Sequence, residues 1–497
     1  MPNNKILQQF LLWTCVAVFV FVLGKLLFLH FFLLTNPYQI EYREGMNVAF
    51  TDLMLKVKYP FSMEYQPNVV NYYGIGYDWL ALPFAAIWGS NLFIHRLISA
   101  LSLAVCFWLM CLYLRKHKVT WPLMLVGSVA WYAALFCNWY LTAEAGPHTF
   151  GLLLMFAAVC IPHLDNYRWR SLLISAALTV FAFYTKMYFI LGGFMVASYL
   201  FLFIDRKKGF LMGVLMVGAL GLTIPLVNRC FETYFSSTFF AAVNDENYAF
   251  EHLVGQSKYF LNFHRALLIA WAAAFAFVLF KGIKQFKWHV DLHIYCLWIS
   301  ILVIVFKMGG HTSQWMEYFV HLISPWLIIG ALISVSRFQW SVLLALGLGA
   351  AVYLPVVFTP HFSIDWTVQD VKAWERVREL VKRHNNILNS PWIVSLLVEY
   401  NKPIYDCGTT RFSASGIGRP GIWGKFMEPD HALELKNSQF MRQVVLDIRD
   451  KKFDLIMIEP RSIFNFKSIN EYYQLVEIIP LKIKDWADQL YVFAPRP

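Results

Sequence analysis

Apolar positions follow one another in long unbroken stretches along most of this chain, and they do not alternate with polar positions. Most stretches hold close to twenty residues, and a helix of that length crosses the roughly 30 Å hydrocarbon layer of a bilayer. A helix also satisfies its own backbone hydrogen bonds in lipid. The pattern therefore predicts about eleven membrane-spanning helices, near residues 11–34, 94–114, 119–137, 147–163, 171–185, 188–204, 209–228, 265–280, 290–306, 317–336 and 339–358.

Basic residues concentrate in every second loop between these predicted spans. If the N-terminus is cytoplasmic, the inner loops hold basic groups such as Arg115–Lys118, Arg206–Lys208 and Lys281–Lys287. The first outer loop, 36–93, is much longer and has few basic residues. Cytoplasmic loops are enriched in Lys and Arg, so this distribution predicts a cytoplasmic N-terminus and, with an odd number of spans, an outer C-terminus.

The composition changes near Pro360. Residues 1–359 are predicted to form the transmembrane domain, and residues 360–497, which are charged in the ordinary way, a small extracytoplasmic α/β domain. In that second domain the pattern predicts an amphipathic helix, a shorter helix and four strands. The amphipathic helix is Asp370–His384 and the shorter helix is Pro391–Tyr400. The strands are Asn386–Leu388, Pro403–Tyr405, Phe453–Ile458 and Leu490–Phe493.

The composition supports the prediction of a membrane protein and argues against several other functions. The chain is 58% hydrophobic and 15% charged, with a net charge of +11, which fits cytoplasmic loops that face anionic lipid better than nucleic-acid binding. Eight scattered cysteines form no CxxC pair, and the tail histidines are too dispersed for a metal site. A glycine motif at Gly416–Gly421 follows no clear strand and is interrupted by Pro420, so no nucleotide cofactor is predicted.

The first outer loop carries the most informative acidic residues. Glu41 and Glu44 are three positions apart, and on a helix they would share one face. A partly desolvated carboxylate at a membrane surface is suited to be the general base that activates a hydroxyl group. The alternative is that both are solvated loop acids without a role. A tyrosine-rich stretch, Tyr72–Tyr77, then precedes Asp78–Gly89, which is too short to span and is predicted to lie on the membrane surface.

Other ionisable residues stand at the predicted outer ends of spans. Ionisable groups near a membrane are candidates for function, although a lone lysine there can also extend its amine to the interface. The predicted topology places these residues on the same side as Glu41 and Glu44, where the basic ones could hold a lipid-linked phosphate. They are Glu144, His148, Lys186, Lys307, His311 and Glu317.

Taken with these motifs, the layout resembles the GT-C glycosyltransferases, the many-spanning enzymes of the protein-mannosyltransferase and aminoarabinose-transferase kind. A first span followed by an acidic outer loop is similar to that family, although Glu41-Tyr42-Arg43-Glu44-Gly45 departs from its frequent adjacent Asp-Glu pair. The resemblance covers most of residues 1–360. Further similar segments are YYGIGYDWL, WGSNLFIHRLISAL, YTKMY and KMGGHTSQWMEYFVHLISPWL.

The resemblance implies a transferase that moves a sugar from a polyprenyl-phosphate donor to a glycan, lipid or protein acceptor. Glu44 matches the family's catalytic acid best and Glu41 would be its partner, with the choice between them open. No nucleotide cofactor is implied, and a divalent metal, which some relatives use, is not expected. The expected contacts of donor phosphate and substrate are Lys186, Arg96, Lys307, His311, Tyr318, Tyr73, His148 and Glu144.

Three other functions compete with this interpretation. A transporter or flippase of envelope glycolipids would have inverted repeats and broken midplane helices, which the sequence does not display clearly. An O-antigen polymerase or ligase usually carries its long loop late in the chain, whereas the long loop here is early. A structural assembly protein would need no catalytic acid. A bacterial inner membrane is the expected location, since the chain has no Asn-x-Ser/Thr acceptor sequence.

Overall fold

Most of the chain folds into apolar helices, followed by a small sheet domain. The structure is a computed structural model, and it describes residues 3–136, 144–240, 248–262, 290–310, 317–336, 365–408, 431–460, 462–464, 467–481 and 489–497.

In the described part of the chain, twelve α-helices, α1 to α12, precede residue 337. Two of them, α2 and α3, belong to the long loop between the first two apolar helices. The helix after Thr185 starts with a 3₁₀ turn, Met187–Ile190, and ends with a π turn, Leu200–Ile204. The bounds are α1 Asn3–Thr35, α2 Tyr42–Lys56, α3 Gly76–Trp88, α4 Leu92–Lys116, α5 Trp121–Phe136, α6 Pro147–Leu164, α7 Trp169–Thr185, α8 Leu191–Tyr199, α9 Arg206–Cys230, α10 Leu292–Val303, α11 Glu317–Leu322 and α12 Ser324–Val335.

Within the described residues, five helical segments are long and apolar enough to cross a membrane, and four shorter apolar helices accompany them. These nine coincide with nine of the predicted spans. The predicted spans 265–280 and 339–358 lie outside the described residues, so the number eleven stays a prediction. Apolar side chains such as Phe210, Val217 and Leu222 on α9 are exposed, as expected for a surface that faces lipid. The chain is an integral membrane protein.

The helices pack around one apolar core formed mainly by α4, α5, α6 and α12. Its largest fully buried side chains include Trp131 and Trp326, and the ring of Phe156 contacts both, at 4.9 and 5.3 Å between centroids. Small polar groups inside the core bond to helix carbonyls, as when Ser175 Oγ donates to Ala158 O at 2.6 Å. Such bonds satisfy buried hydroxyl groups without opening the packing.

The C-terminal part forms a four-stranded sheet in the order β1-β2-β4-β3. β1 and β2 are parallel, while β4 pairs antiparallel with both β2 and β3. Apolar clusters cover both faces of the sheet, so the domain has three layers. The elements are α13 Asp365–Arg383, β1 Ile387–Asn389, α14 Val394–Glu399, α15 His431–Arg449, β2 Leu455–Ile458, α16 Ile469–Tyr472, β3 Tyr473–Ile479 and β4 Leu490–Pro495.

This domain confirms most of the predicted tail elements and corrects one. The predicted helices and the strands β1, β2 and β4 are present within a few residues of their expected bounds. The predicted strand Pro403–Tyr405 is wrong, because this segment is irregular. Its backbone instead bonds to a side chain, with Tyr405 N donating to Asn389 Oδ1 at 2.7 Å. The edge strand β3 was not predicted.

Candidate active site

Polar and charged side chains converge where several apolar helices end on one side of the molecule. The end of α1, the starts of α2, α4, α6 and α11 and the end of α7 contribute to this region. It contains Glu41, Arg43, Glu44, Arg96, Glu144, His148, Lys186 and Glu317, all of which are mostly buried.

Glu44 and Arg96 form a fully buried ion pair. Arg96 Nε and Nη2 each donate to one oxygen of Glu44 at 2.7 Å. Ile40 N and Ala145 N donate to the same two oxygens at 2.7 and 2.8 Å. Glu44 therefore accepts four hydrogen bonds, which is about the capacity of a carboxylate.

Arg96 is equally saturated. Besides its two bonds to Glu44, its guanidinium donates to the carbonyl oxygens of Leu33, Asn36 and Tyr38 at 2.5–2.7 Å. All five of its N–H groups are thus used. The pair fastens the end of α1, the start of α2 and the start of α4 to one another. It leaves neither group free for a substrate.

Glu41 lies three residues earlier in a different environment. It is the N-cap of α2, where Oε2 accepts from Arg43 N at 2.7 Å and Oε1 from Arg43 Nε at 2.8 Å. It is 8% exposed and Glu44 is not exposed at all, so the alternative of solvated loop acids is wrong for both. Burial raises the pKa of Glu41 to about 8, although Arg43 opposes the shift, and the charge of Glu144 adds to it.

Arg43 joins Glu41 to the aromatic wall of the site. Its Nη1 donates to Tyr73 Oη at 3.0 Å and lies 4.0 Å from Glu317 Oε2. Arg43 was not among the site residues predicted from the sequence. A signal existed, since it is a basic residue in a basic-poor loop and stands between the two candidate acids.

Lys186 follows α7 and stands at the centre of the region. Its ammonium donates to Glu317 Oε1 and to His148 Nε2, both at 2.7 Å. It also faces the rings of three tyrosines, Tyr73, Tyr188 and Tyr318, at 5.0, 5.3 and 5.7 Å from the centroids. Burial lowers its pKa, and the ion pair with Glu317 opposes this change.

His148 connects Lys186 to a third acid. A lysine ammonium only donates, so His148 Nε2 accepts, and the ring proton is on Nδ1. That atom lies 3.2 Å from Glu144 Oε2. Neither oxygen of Glu144 accepts a hydrogen bond of good geometry from the described residues. Burial acts to raise the pKa of Glu144, but the close contact with His148 and the charge of Arg43 outweigh it and hold this pKa below its ordinary range.

A second layer of hydrogen bonds holds the tyrosine wall. Asp78 accepts from Thr51 Oγ1 at 2.9 Å and from Asn71 Nδ2 at 2.6 Å. Asn71 Oδ1 then accepts from Tyr73 N at 2.8 Å. Burial raises the pKa of Asp78 to about 7, while its hydrogen bonds oppose the shift. The backbone of Tyr73 is thereby fixed beside Arg43 and Lys186.

The predicted site residues divide into three groups. The structure brings Glu41, Tyr73, Glu144, His148, Lys186 and Tyr318 together, and it pairs Glu44 with Arg96 next to them. Lys307 is exposed and makes no ion pair with these acids within the described part of the chain. His311 and the glycine motif at 416–421 lie outside the described residues. Tyr188 and His321, which share a 2.9 Å hydrogen bond beside the site, were not predicted.

The described residues offer no group of three or more His, Cys, Asp or Glu side chains arranged to hold a metal ion. The acids of the site lie instead beside the side chains of Arg43, Lys186 and His148. The arrangement is a buried network of two basic and three acidic side chains, apart from the saturated pair of Glu44 and Arg96. Such a network can bind an anion and accept a proton in close proximity.

Comparison with known proteins gives matches among solved structures. No protein-family model and no curated protein sequence matches the chain. The crystal structure of ArnT from Cupriavidus metallidurans bound to undecaprenyl phosphate is 12% identical, with a TM-score of 0.59, over 96% of this chain and 97% of that chain. Its apo state gives a TM-score of 0.60 at 12% identity, over 97% and 98%. The predicted resemblance is thus confirmed at the level of the fold, which this chain shares with ArnT over nearly its whole length.

Proposed function

We propose that the protein transfers a sugar from a polyprenyl-phosphate donor to an acceptor at the outer face of a bacterial inner membrane. The observation that carries this proposal is the buried network of Arg43, Lys186, Glu41, Glu144 and Glu317 at the ends of the helices. The fold supports it, since it is shared with a protein whose structure holds undecaprenyl phosphate. The acceptor would be a glycan, a lipid or a protein.

Arg43 and Lys186 are suited to hold the donor phosphate. Within the described residues Lys186 uses two of its three protons, and Arg43 Nη2 donates to no group. Both cations therefore keep donors for phosphate oxygens without breaking their present contacts. In the reaction the bond between the anomeric carbon and the phosphate oxygen breaks, and that oxygen keeps the electron pair. The two cations would stabilise the charge that develops there.

A carboxylate must take the proton of the attacking hydroxyl group as the new glycosidic bond forms. We assign this role first to Glu144, because it is ionised and its oxygens accept no well-formed hydrogen bond from the described residues. Glu41 is the second choice, since Arg43 occupies it and its raised pKa keeps it mostly protonated at neutral pH. Glu44, the first choice from the sequence resemblance, is assigned a structural role because four donors saturate it.

The experiment is an assay of the purified protein with labelled polyprenyl-phosphate sugars and an envelope extract. Wild type is compared with Glu144→Gln and Glu41→Gln, with Glu64→Gln as a control because Glu64 is exposed. We expect Glu144→Gln to lower kcat by about a hundredfold or more with an unchanged melting temperature. The Glu64 variant should behave as wild type.

Three outcomes would change the assignment. A larger loss in Glu41→Gln than in Glu144→Gln would move the base to Glu41. Equal activity of all variants would remove both acids from the chemistry. No consumption of any donor by wild type, with both variants still complementing a deletion strain, would refute the transferase and make a glycolipid transporter the function to test.

A further inference from the structure

We infer that the C-terminal α/β domain holds the active-site loop in its working geometry, and that Gln39 is the positioning residue through which it acts. This inference rests on the proposed function for its kinetic consequence. From the sequence the domain could equally select the acceptor or cap the site. The contacts described below favour a mechanical role, because the domain contacts two of the segments that form the site, residues 38–42 and 68–73.

Gln39 bridges the site loop and the C-terminal domain. Its Nε2 donates to Pro391 O at 3.0 Å, and its Oε1 accepts from Ser395 N at 2.8 Å. The same Nε2 lies 3.4 and 3.3 Å from the carbonyl oxygens of Glu41 and Tyr42. One buried side chain therefore links the start of α14 to the two residues that precede Arg43.

The residues beside Gln39 add aromatic contacts with the same domain. The ring of Tyr38 stacks on Trp374 of α13 at 5.1 Å and 10°, and Arg378 covers the same ring at 5.1 Å. Tyr42 meets Trp392 edge to face at 6.1 Å. Aromatic pairs of this kind contribute beyond their buried area, so the segment 38–42 is held on several sides.

Close packing of α2 against α14 leaves no room for adjustment. A Cβ added to Gly45 would lie 2.7 Å from Gln39 Oε1 and 2.7 Å from Val394 Cβ. Only glycine permits this approach. Residues 36–41 have no regular secondary structure, so side chains hold this segment in place of a hydrogen-bonded ladder. Arg96 and Glu44 bond to its backbone, and the C-terminal domain contacts its side chains.

The domain also supports the opposite wall of the site. Asn68 Nδ2 donates to Ile404 O at 3.0 Å, and Val70 N donates to Cys407 Sγ at 3.3 Å. Cys407 packs in one buried cluster with Val70 and Tyr73. Tyr73 then meets Arg43 through the hydrogen bond described above. The two segments that the C-terminal domain contacts, residues 38–42 and 68–73, thus meet at Arg43. We assign this cation to the donor phosphate.

The test uses the full-length protein and the transfer assay. Gln39→Glu keeps an acceptor for Ser395 N but places a carboxylate against three carbonyl oxygens. We expect kcat to fall about tenfold or more while the KM for donor changes less than threefold, because misplaced groups lose rate before they lose binding. The matched control is Gln474→Glu, the same change at an exposed position.

A milder variant covers the case in which Gln39→Glu does not fold. Asn68→Ala removes one bond to the domain at a half-buried position and should lower kcat about threefold to tenfold, whereas Asn470→Ala, at an exposed position, should not. Hydrogen exchange of the amides of residues 38–45 provides a readout without catalysis. Faster exchange there in both site variants, with the sheet still protected, is the expected result.

The outcomes separate this inference from the proposed function. If wild type transfers sugar and both site variants keep wild-type kcat and exchange rates, the positioning role is refuted. If wild type transfers no sugar, the proposed function fails, and the exchange measurement alone decides whether the domain fixes the loop. Unchanged exchange would then refute the inference independently.

Discussion

Glu41 and Glu44 are close in sequence, but their carboxyl groups have different hydrogen-bond partners. Glu44 is neutralised by Arg96, 52 residues away, and accepts a hydrogen bond from Ala145 N, 101 residues away. Among the described residues, the carboxyl group of Glu41 accepts hydrogen bonds only from Arg43, within the same turn. The sequence singled out both acids, and both lie in the polar region at the helix ends. It could not assign their roles, because the partner that saturates one of them comes from a distant helix.

The saturation of Glu44 leads to a prediction about stability. Glu44→Gln leaves Arg96 charged, buried and without its counter-ion. Removing one partner of a buried ion pair typically costs about 3–5 kcal/mol. We therefore expect a large fall in the melting temperature of the detergent-solubilised protein, and little change in Glu64→Gln.

A double variant separates the ion pair from other causes. Arg96→Met alone should destabilise by a similar amount, and Glu44→Gln combined with Arg96→Met should cost clearly less than the sum of the two. Additive effects would mean that the two side chains do not act as a pair.

The raised pKa of Glu41 predicts a pH dependence of stability. Its ordinary value is 4.5 and its folded value is about 8, so between these limits the folded protein holds a proton that the unfolded chain has released. The stabilisation is complete below about pH 4.5 and is lost as the pH rises through about 8. The melting temperature of wild type should fall over this window relative to Glu41→Gln. Parallel profiles of the two proteins would contradict the assigned shift.

Helices of this protein are easier to predict than the segments that join them. Each apolar span is a local property of about twenty residues, so nine predicted spans coincide with helices in the described part of the chain. The loop segment 71–76 depends instead on contacts with the end of α7, where Gly74 N donates to Thr185 O at 3.1 Å. No local pattern encodes such a contact.

Gly74 tests this contact between loop and helix. A Cβ at this position would lie 1.9 Å from Tyr184 O, and a backbone atom cannot move aside as a flexible side chain can. Gly74→Ala should therefore push the loop from α7, lower the stability by about 2 kcal/mol or more and reduce transfer by displacing Tyr73. Thermal melts and the transfer assay measure the two effects.

The control for this variant is Gly213→Ala. Gly213 lies within α9 and has open space where a Cβ would be, so alanine there should stabilise the helix slightly. A Gly74 variant as stable and active as wild type would show that the loop can move away without consequence.

For the whole molecule, the sequence predicted a helical membrane part and a small α/β domain, and both are present. It missed β3, whose residues Leu475, Val476 and Ile478 are exposed and do not alternate with polar positions. A bulge between Leu475 and Glu477 breaks the two-residue period that identifies a strand. The sequence does not indicate that the C-terminal domain contacts the first outer loop, because those contacts join residues more than 300 positions apart.

The orientation of the molecule is a prediction that fusions can check. Basic residues in alternate loops predict that the C-terminus lies outside the cytoplasm. Alkaline phosphatase fused after Pro497 should therefore be active, and a fusion at the loop near Lys118 should be inactive. The reverse pattern would put the site on the cytoplasmic face and would require a cytoplasmic donor.

The saturated arginine also bears on how the chain enters the membrane. All four residues that accept from Arg96 in the described part of the chain precede it in sequence: Leu33, Asn36 and Tyr38 through their carbonyls and Glu44 through its carboxylate. During synthesis the ribosome has therefore delivered every one of these partners before α4 emerges. A charge that would be costly to insert alone can therefore enter the membrane already compensated by residues made before it.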